Sequence, residues 1–112
     1  MKYIIAIIQP SKLESVRTSL LELGVNGLTA SEVRGFGRQK GKTEIYRGTE
    51  YETNFLPKIK VEIAVTAEMA DKVVSSIKEN ASSDKIGDGK IFEFDLNQVT
   101  RIRTGETGSE AI

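Results

Sequence analysis

Three observations predict an α+β fold with strands and helices in the order β-α-β-β-α-β. Ile59, Val61, Ile63 and Val65 alternate with Lys58, Lys60, Glu62 and Ala64, the period-two pattern of a strand with one buried face. Two segments carry helical stripes, Leu13, Val16, Leu20 and Leu23 in the first, and Met69, Val73 and Ile77 flanked by Ala70 and Val74 in the second. Tyr3 to Ile8 is apolar on both strand faces, as in a strand covered on each side. This element order is the ferredoxin-like, or split βαβ, arrangement. Two helices cover only one face of such a sheet, so an apolar second face predicts a closed homo-oligomer, with a monomer bearing an unusually apolar sheet as the alternative.

Each element has its own signal. Pro10 followed by Ser11 and Glu14 at capping-box spacing predicts the first helix start, and Gly24 its stop. Leu28 to Phe36 reads as a second, less regular strand. Residues 37–55 are polar, charged and tyrosine-bearing, too long for an ordinary hairpin connection, and are expected to form a long mobile loop that serves as an output device. Thr66 is placed to cap the second helix. Residues 82–90 form a loop punctuated by Gly87 and Gly89, and Ile91 to Leu96 a fourth strand with Phe92, Phe94 and Leu96 on one face. Within residues 97–112 a short strand, Val99 to Arg103, is expected before a loosely held polar tail from Gly105. The 112 residues fit a single domain, 1–112.

Composition removes several function classes. Sixteen basic residues balance sixteen acidic ones, which lacks the positive field of a general nucleic-acid binder. No apolar run is long enough to span a bilayer, and Met1 to Ile8 has no small-residue cleavage site. With no cysteine, thiolate chemistry and disulfides are excluded and a cytoplasmic location is the expectation. With no histidine, a His general base, a Ser-His or Cys-His nucleophile and the usual zinc sites are excluded too.

Gly35 to Thr43 superficially resembles a phosphate-binding P-loop but fails on count, since Phe36 stands where the first glycine belongs; Lys40 likewise breaks the dinucleotide fingerprint. The residue types still suit an anion, because glycines admit close approach of backbone N–H groups and Arg38, Lys40 and Lys42 add charge. Lys85-Ile86-Gly87-Asp88-Gly89-Lys90 is a second such segment, and Arg101-Ile102-Arg103 a third, with both guanidinium groups on one face if it is a strand. Convergence on a polyphosphate and a carboxylate explains all three; solvated surface charge is the plain alternative. In the long loop, Tyr46, Tyr51 and the threonines are chemically accessible to a modifying enzyme.

Five stretches, Val33 to Gly41, Tyr46 to Tyr51, Asn54 to Lys58, Lys85 to Phe92 and Arg101 to Glu106, together resemble the nitrogen regulatory PII family, and the likeness runs from Met1 to Ile112. The resemblance implies a homotrimeric signal transduction protein, not an enzyme, with ATP or ADP in each inter-subunit cleft. It places Gly87, Asp88, Gly89, Lys90 and Arg38 on the phosphates, Arg101 and Arg103 on the same nucleotide from the adjacent subunit, and Thr29 and Ala64 beside the adenine. Gln39 would help hold Mg²⁺ with the phosphates. Lys58, Gly87 and the segment Gly37, Gln39, Lys40 and Gly41 would receive the effector 2-oxoglutarate, whose binding would need Mg-ATP and would reset the loop. Tyr51 would match a uridylylated tyrosine, and Thr49, bulkier than the family's usual alanine or serine, a phosphoacceptor. Gln9, where many members carry lysine or arginine, and Glu93, where an apolar residue is preferred, depart from the pattern outside that ligand set. Implied partners are ammonium transporters, which the protein would dock to without entering the membrane, and glutamine-synthetase-modifying enzymes, sensor kinases and arginine-pathway kinases. An ATP-hydrolysing enzyme using the same cleft, and a binder of single-stranded RNA, are the rival classes.

Overall fold

The computed structural model describes residues 1–37, 45–46, 49–50 and 55–112, the two short pairs by their backbone alone. Four strands, β1 (Lys2–Ile8), β2 (Thr29–Gly35), β5 (Leu56–Val65) and β6 (Gly89–Asp95), form one antiparallel sheet in the order β2-β5-β1-β6. Helices α1 (Leu13–Glu22) and α2 (Ala67–Ala81) are the two crossovers. The ferredoxin-like α+β prediction is therefore met, with β1 in the centre because it is apolar on both faces. Two-residue strands β3 (Ile45–Tyr46) and β4 (Thr49–Glu50) pair with each other, so the segment read as a loop carries a small hairpin.

Register decides which residues meet the helices. Ile4 lies opposite Ile63, Ala6 opposite Val61 and Ile8 opposite Ile59, and all six are buried. Val16 and Leu20 from α1 and Ala70, Val73, Ile77 and Ala81 from α2 close over them. Burying side chains of this size contributes roughly 1.5–3 kcal/mol each. A polar seam joins the helices, where the Asn80 amide donates to Ser19 Oγ at 3.0 Å and to the Ser76 carbonyl at 2.8 Å. On the helix-free face, Tyr3, Ile5 and Ile7 are half-buried, and the Phe92 and Phe94 rings beside them remain 44% and 50% exposed. The second apolar face inferred from β1 is present.

Four local expectations are corrected. Ser11 does not form a capping box: it lies within a 3₁₀ turn, Pro10–Lys12, and the Glu14 carboxylate instead accepts from Arg17 at 2.9 Å. Thr66 occupies the N-cap of α2 without a side-chain cap bond, the first turn closing through Met69 N–H to the Thr66 carbonyl at 3.1 Å. Val99 to Arg103 is not a strand; Thr100 makes one bridge to Thr107, and the chain turns at once, with Gly105 N–H donating to the Arg101 carbonyl at 2.8 Å. The tail is tied down, because Gly108–Ala111 forms a 3₁₀ turn and the Arg101 guanidinium donates to Glu106 Oε1 at 2.8 Å and to the Glu110 carbonyl at 3.1 Å.

Leu20 is fully buried between the helices and the sheet. Leu20→Ala is expected to destabilise the fold by about 2–5 kcal/mol, through lost transfer energy and the cavity left behind, as measured by chemical denaturation at fixed protein concentration. A loss below about 1 kcal/mol would contradict this packing.

Candidate anion-binding site

The ladder of the sheet fixes one end of the molecule. Ile8 is the last paired residue of β1, facing Ile59 on one side and Gly89 on the other, so the next residue, Gln9, comes level with Lys58 and the start of β6. There the Gly87 carbonyl accepts two hydrogen bonds, from Lys58 Nζ at 2.5 Å and from Gln9 Nε2 at 2.7 Å. Lys58 is only 7% exposed, and among the described residues it has no carboxylate within ion-pair distance. A buried ammonium held by a neutral carbonyl keeps most of its charge unmet, and it favours an anion wherever one can reach it.

The loop before β6 is shaped by its glycines and by Asp88. Gly87 has φ +104° and Gly89 φ +111°; a Cβ on Gly89 would stand 1.7 Å from the Ile7 carbonyl oxygen, so no other residue fits there. The Asp88 carboxylate is turned into its own loop, accepting from the Ser83 hydroxyl at 2.5 Å, the Ser83 amide at 2.7 Å and the Lys85 amide at 3.3 Å. These bonds, the Ser83 hydroxyl foremost, hold its pKa below the ordinary 3.8. Asp88 thus organises the backbone that any ligand would meet. Lys90, opposite Ile7 on the helix-free face, is exposed. Two concavities flank this end. One, of about 260 Å³, lies between Gly89–Ile91 and the last turn of α2; the other, of about 870 Å³, is lined by Lys58, Arg34, Val33 and Phe55.

The remaining predicted residues are distributed as follows. Thr29 opens β2 opposite Glu62, and Ala64 lies further along the same face of β5, lining a separate cleft of about 380 Å³ with Gly27. Gly37 is the last described residue before the long segment, and next to it the Phe36 and Phe55 rings pack edge to face at 5.0 Å. Arg38, Gln39, Lys40, Gly41 and Tyr51, together with the Thr49 side chain, lie outside the described residues. Arg101 and Arg103 do not share a strand face, because the chain turns between them: Arg101 is held by Glu106, while Arg103 is exposed. Their hairpin packs at the opposite end of the sheet, where Val99 and Ser109 line a cleft with Val65 and Thr66. That end is about 20 Å from Gly89, the length of a seven-residue strand. Gln9 and Phe55 were not foreseen at this end, although the antiparallel register alone places Gln9 beside Lys58.

Cations and a glycine-shaped backbone at one sheet end can bind and orient an anionic small molecule. At Gly89 a Cβ cannot be accommodated, and Lys58 and Lys90 lie beside this loop, the kind of surroundings in which backbone amides and ammonium groups meet an anion. Among the described residues no group of three or more Asp and Glu side chains is placed to hold a metal ion. Fold and site together describe a small ferredoxin-like protein with cationic side chains and a glycine-shaped loop gathered at one end of its sheet.

A family model described as nitrogen regulatory protein P-II matches residues 1–106. The chain is 58% identical to the nitrogen regulatory protein P-II of Pasteurella multocida, 56% to that of Rhizobium etli and 56% to nitrogen regulatory protein P-II 1 of Escherichia coli, in each case over 112 residues and the full length of both chains. The chain belongs to the nitrogen regulatory protein P-II family, a family of regulators and not of enzymes.

The lowered Asp88 pKa has a defined pH signature. Because the folded value is below the ordinary one, the order that Asp88 imposes is fully present above pH 3.8 and is lost as pH falls through the lowered value. Amide exchange at Ser83 and Lys85, corrected for its intrinsic rate, is expected to accelerate only below pH 3.8, and Asp88→Asn is expected to accelerate it at neutral pH. Equal protection in the variant at neutral pH would remove Asp88 from this role.

Proposed function

We propose that this protein is a nitrogen, carbon and energy signal transducer that binds ATP or ADP and, with Mg-ATP, 2-oxoglutarate. The observation that carries the proposal is Lys58: a buried ammonium held by the Gly87 carbonyl, without a described carboxylate partner, at the mouth of the glycine loop. One carboxylate of 2-oxoglutarate would take Lys58, and its other oxygens would meet Gly87, the backbone of Gly37 and Gly41, and Gln39 and Lys40. The nucleotide phosphates would lie on Gly87 to Lys90 and Arg38, with the adenine beside Thr29 and Ala64.

Arg101 and Arg103 join that nucleotide in this reading, yet their own chain turns at the end of the sheet opposite Gly89, where Val99 and Ser109 line a cleft with Val65. The site is therefore completed by the arginines of a neighbouring copy, in a homotrimer whose protomers meet through the apolar helix-free face. Residues 37–55 carry the ligand state to partners in the cytoplasm or at its membrane, among them an ammonium transporter, a glutamine-synthetase-modifying enzyme, a sensor kinase or an arginine-pathway kinase. Tyr51 and Thr49 are the candidate modification sites.

Calorimetry on the purified protein is expected to show oxoglutarate binding in the presence of Mg-ATP and none with Mg-ADP or without nucleotide. Lys58→Ala is expected to lower oxoglutarate affinity at least tenfold, in line with the loss of a charge-assisted hydrogen bond, while ATP affinity stays within about threefold. Equal oxoglutarate binding with and without nucleotide would refute the coupling, joint loss of both ligands would assign Lys58 elsewhere, and a solution mass of one chain would refute the shared site.

A further inference from the structure

The Gly87 carbonyl has two donors, and the reading under Proposed function uses only one of them. If Lys58 turns to a ligand carboxylate, the Gly87 carbonyl loses one of its two donors. Left without a donor, this half-buried acceptor would lose a hydrogen bond that water replaces only in part, which would oppose ligand binding. Gln9 removes that opposition. Its amide already donates to the same oxygen at 2.7 Å, and it is neutral, so it neither repels the ammonium nor competes with it for an anion.

We propose that Gln9 is a positioning residue for carboxylate-ligand binding: it holds the Gly87 carbonyl so that Lys58 can leave it for the ligand without stranding a polar group. This rests on the assignment of Lys58 to 2-oxoglutarate. The geometry behind it is local and comes from the register: Gln9 is one residue past the last β1–β5 pair, level with Lys58, and the two side-chain tips share an acceptor at 2.7 and 2.5 Å. Position 9 therefore also sets the charge seen by Lys58. A glutamine leaves the ammonium available, whereas a carboxylate at this position would capture it as an ion pair within about 5 Å, in a setting where such pairs are screened little.

Two substitutions separate these roles. Gln9→Leu keeps the bulk and removes the donor; oxoglutarate affinity in saturating Mg-ATP is expected to fall about three- to tenfold, the equivalent of one hydrogen bond, with ATP affinity unchanged within twofold. Gln9→Glu is expected to lower oxoglutarate affinity by more than tenfold, again sparing ATP. In the ligand-free protein it is also expected to slow acylation of Lys58 by an amine-reactive ester at least threefold relative to Lys85, read by peptide mass spectrometry. Slowed acylation together with lost oxoglutarate binding supports the proposal. Unchanged Lys58 acylation in Gln9→Glu overturns it whatever the ligand, as does unaltered oxoglutarate affinity in Gln9→Leu. If the unsubstituted protein fails to bind oxoglutarate while Gln9→Glu still slows acylation, the contact between positions 9 and 58 stands, and the ligand assignment falls, taking the positioning role with it.

Discussion

The central strand β1 is hydrogen-bonded on both edges, to β5 and to β6, and its register sets nearly everything else in the molecule. A shift of one residue would turn Ile4, Ala6 and Ile8 away from the helices and bring Tyr3, Ile5 and Ile7 into their place. It would also move Gln9 out of line with Lys58 and separate Gly89 from the Ile7 carbonyl, against which only a glycine fits. The same seven residues therefore specify the core and the sheet end where Gln9, Lys58 and the Gly87 carbonyl meet. Because β1 is apolar on both faces, alternation alone would fix this register weakly; the Lys2–Asp95 pair at one end, at 2.5 Å, and the Gly89 contact at the other resist a slip.

Electrostatics at the site follows from what the register encloses. Lys58 belongs to a strand whose inward residues are Ile and Val, and its ammonium emerges at the strand's end, where the β6 loop offers a carbonyl in place of a carboxylate. The carboxylate next to that carbonyl in the chain, Asp88, is turned the other way and accepts from Ser83 and Lys85. Had Asp88 faced Lys58, the pair would have neutralised itself, and an incoming anion would have had to displace a bound carboxylate. Loop geometry keeps the two charges apart, so the Lys58 ammonium is not neutralised by Asp88.

Much of this was legible in the sequence, and the failures share a cause. Period-two alternation in Ile59 to Val65 and the two helical stripes identified the elements because burial on one face leaves a mark at every second, third or fourth residue. The Ser11–Glu14 pair misled because capping depends on the backbone angle at one residue, and Pro10 had already committed the chain to a 3₁₀ turn. Val99 to Arg103 looked like a strand for its β-branched residues, but a strand needs a partner along its length, and the described residues supply only the Thr100–Thr107 bridge. Lys58 and the glycine loop were visible as types. The function of Asp88 as a loop organiser and of Gln9 as a second donor was not, since both depend on where a neighbouring segment places a single acceptor or donor.

The helix-free face brings the two halves of the molecule into one argument. It is apolar at Ile5, Ile7, Phe92 and Phe94, yet Tyr3 OH donates to Glu62 Oε1 at 2.9 Å within it, and Lys60 lies 3.9 Å from the same carboxylate oxygen. Burial, and secondarily the bond to Glu62, raises the Tyr3 phenol above its ordinary value of 10.0. A purely apolar face would associate with many surfaces in many orientations, whereas one with a fixed polar triad admits only partners that leave those groups satisfied. Under the trimeric reading each protomer must set its neighbour's arginines against its own glycine loop, so the angle of association matters as much as its strength. In such an assembly Tyr3, Lys60 and Glu62 would fix that angle, while Ile5, Ile7, Phe92 and Phe94 would provide the apolar area. Lys58, Lys60 and Glu62 are alternate residues of the one strand β5, so the polar triad at the centre of the sheet and the ammonium at its end share a face by register.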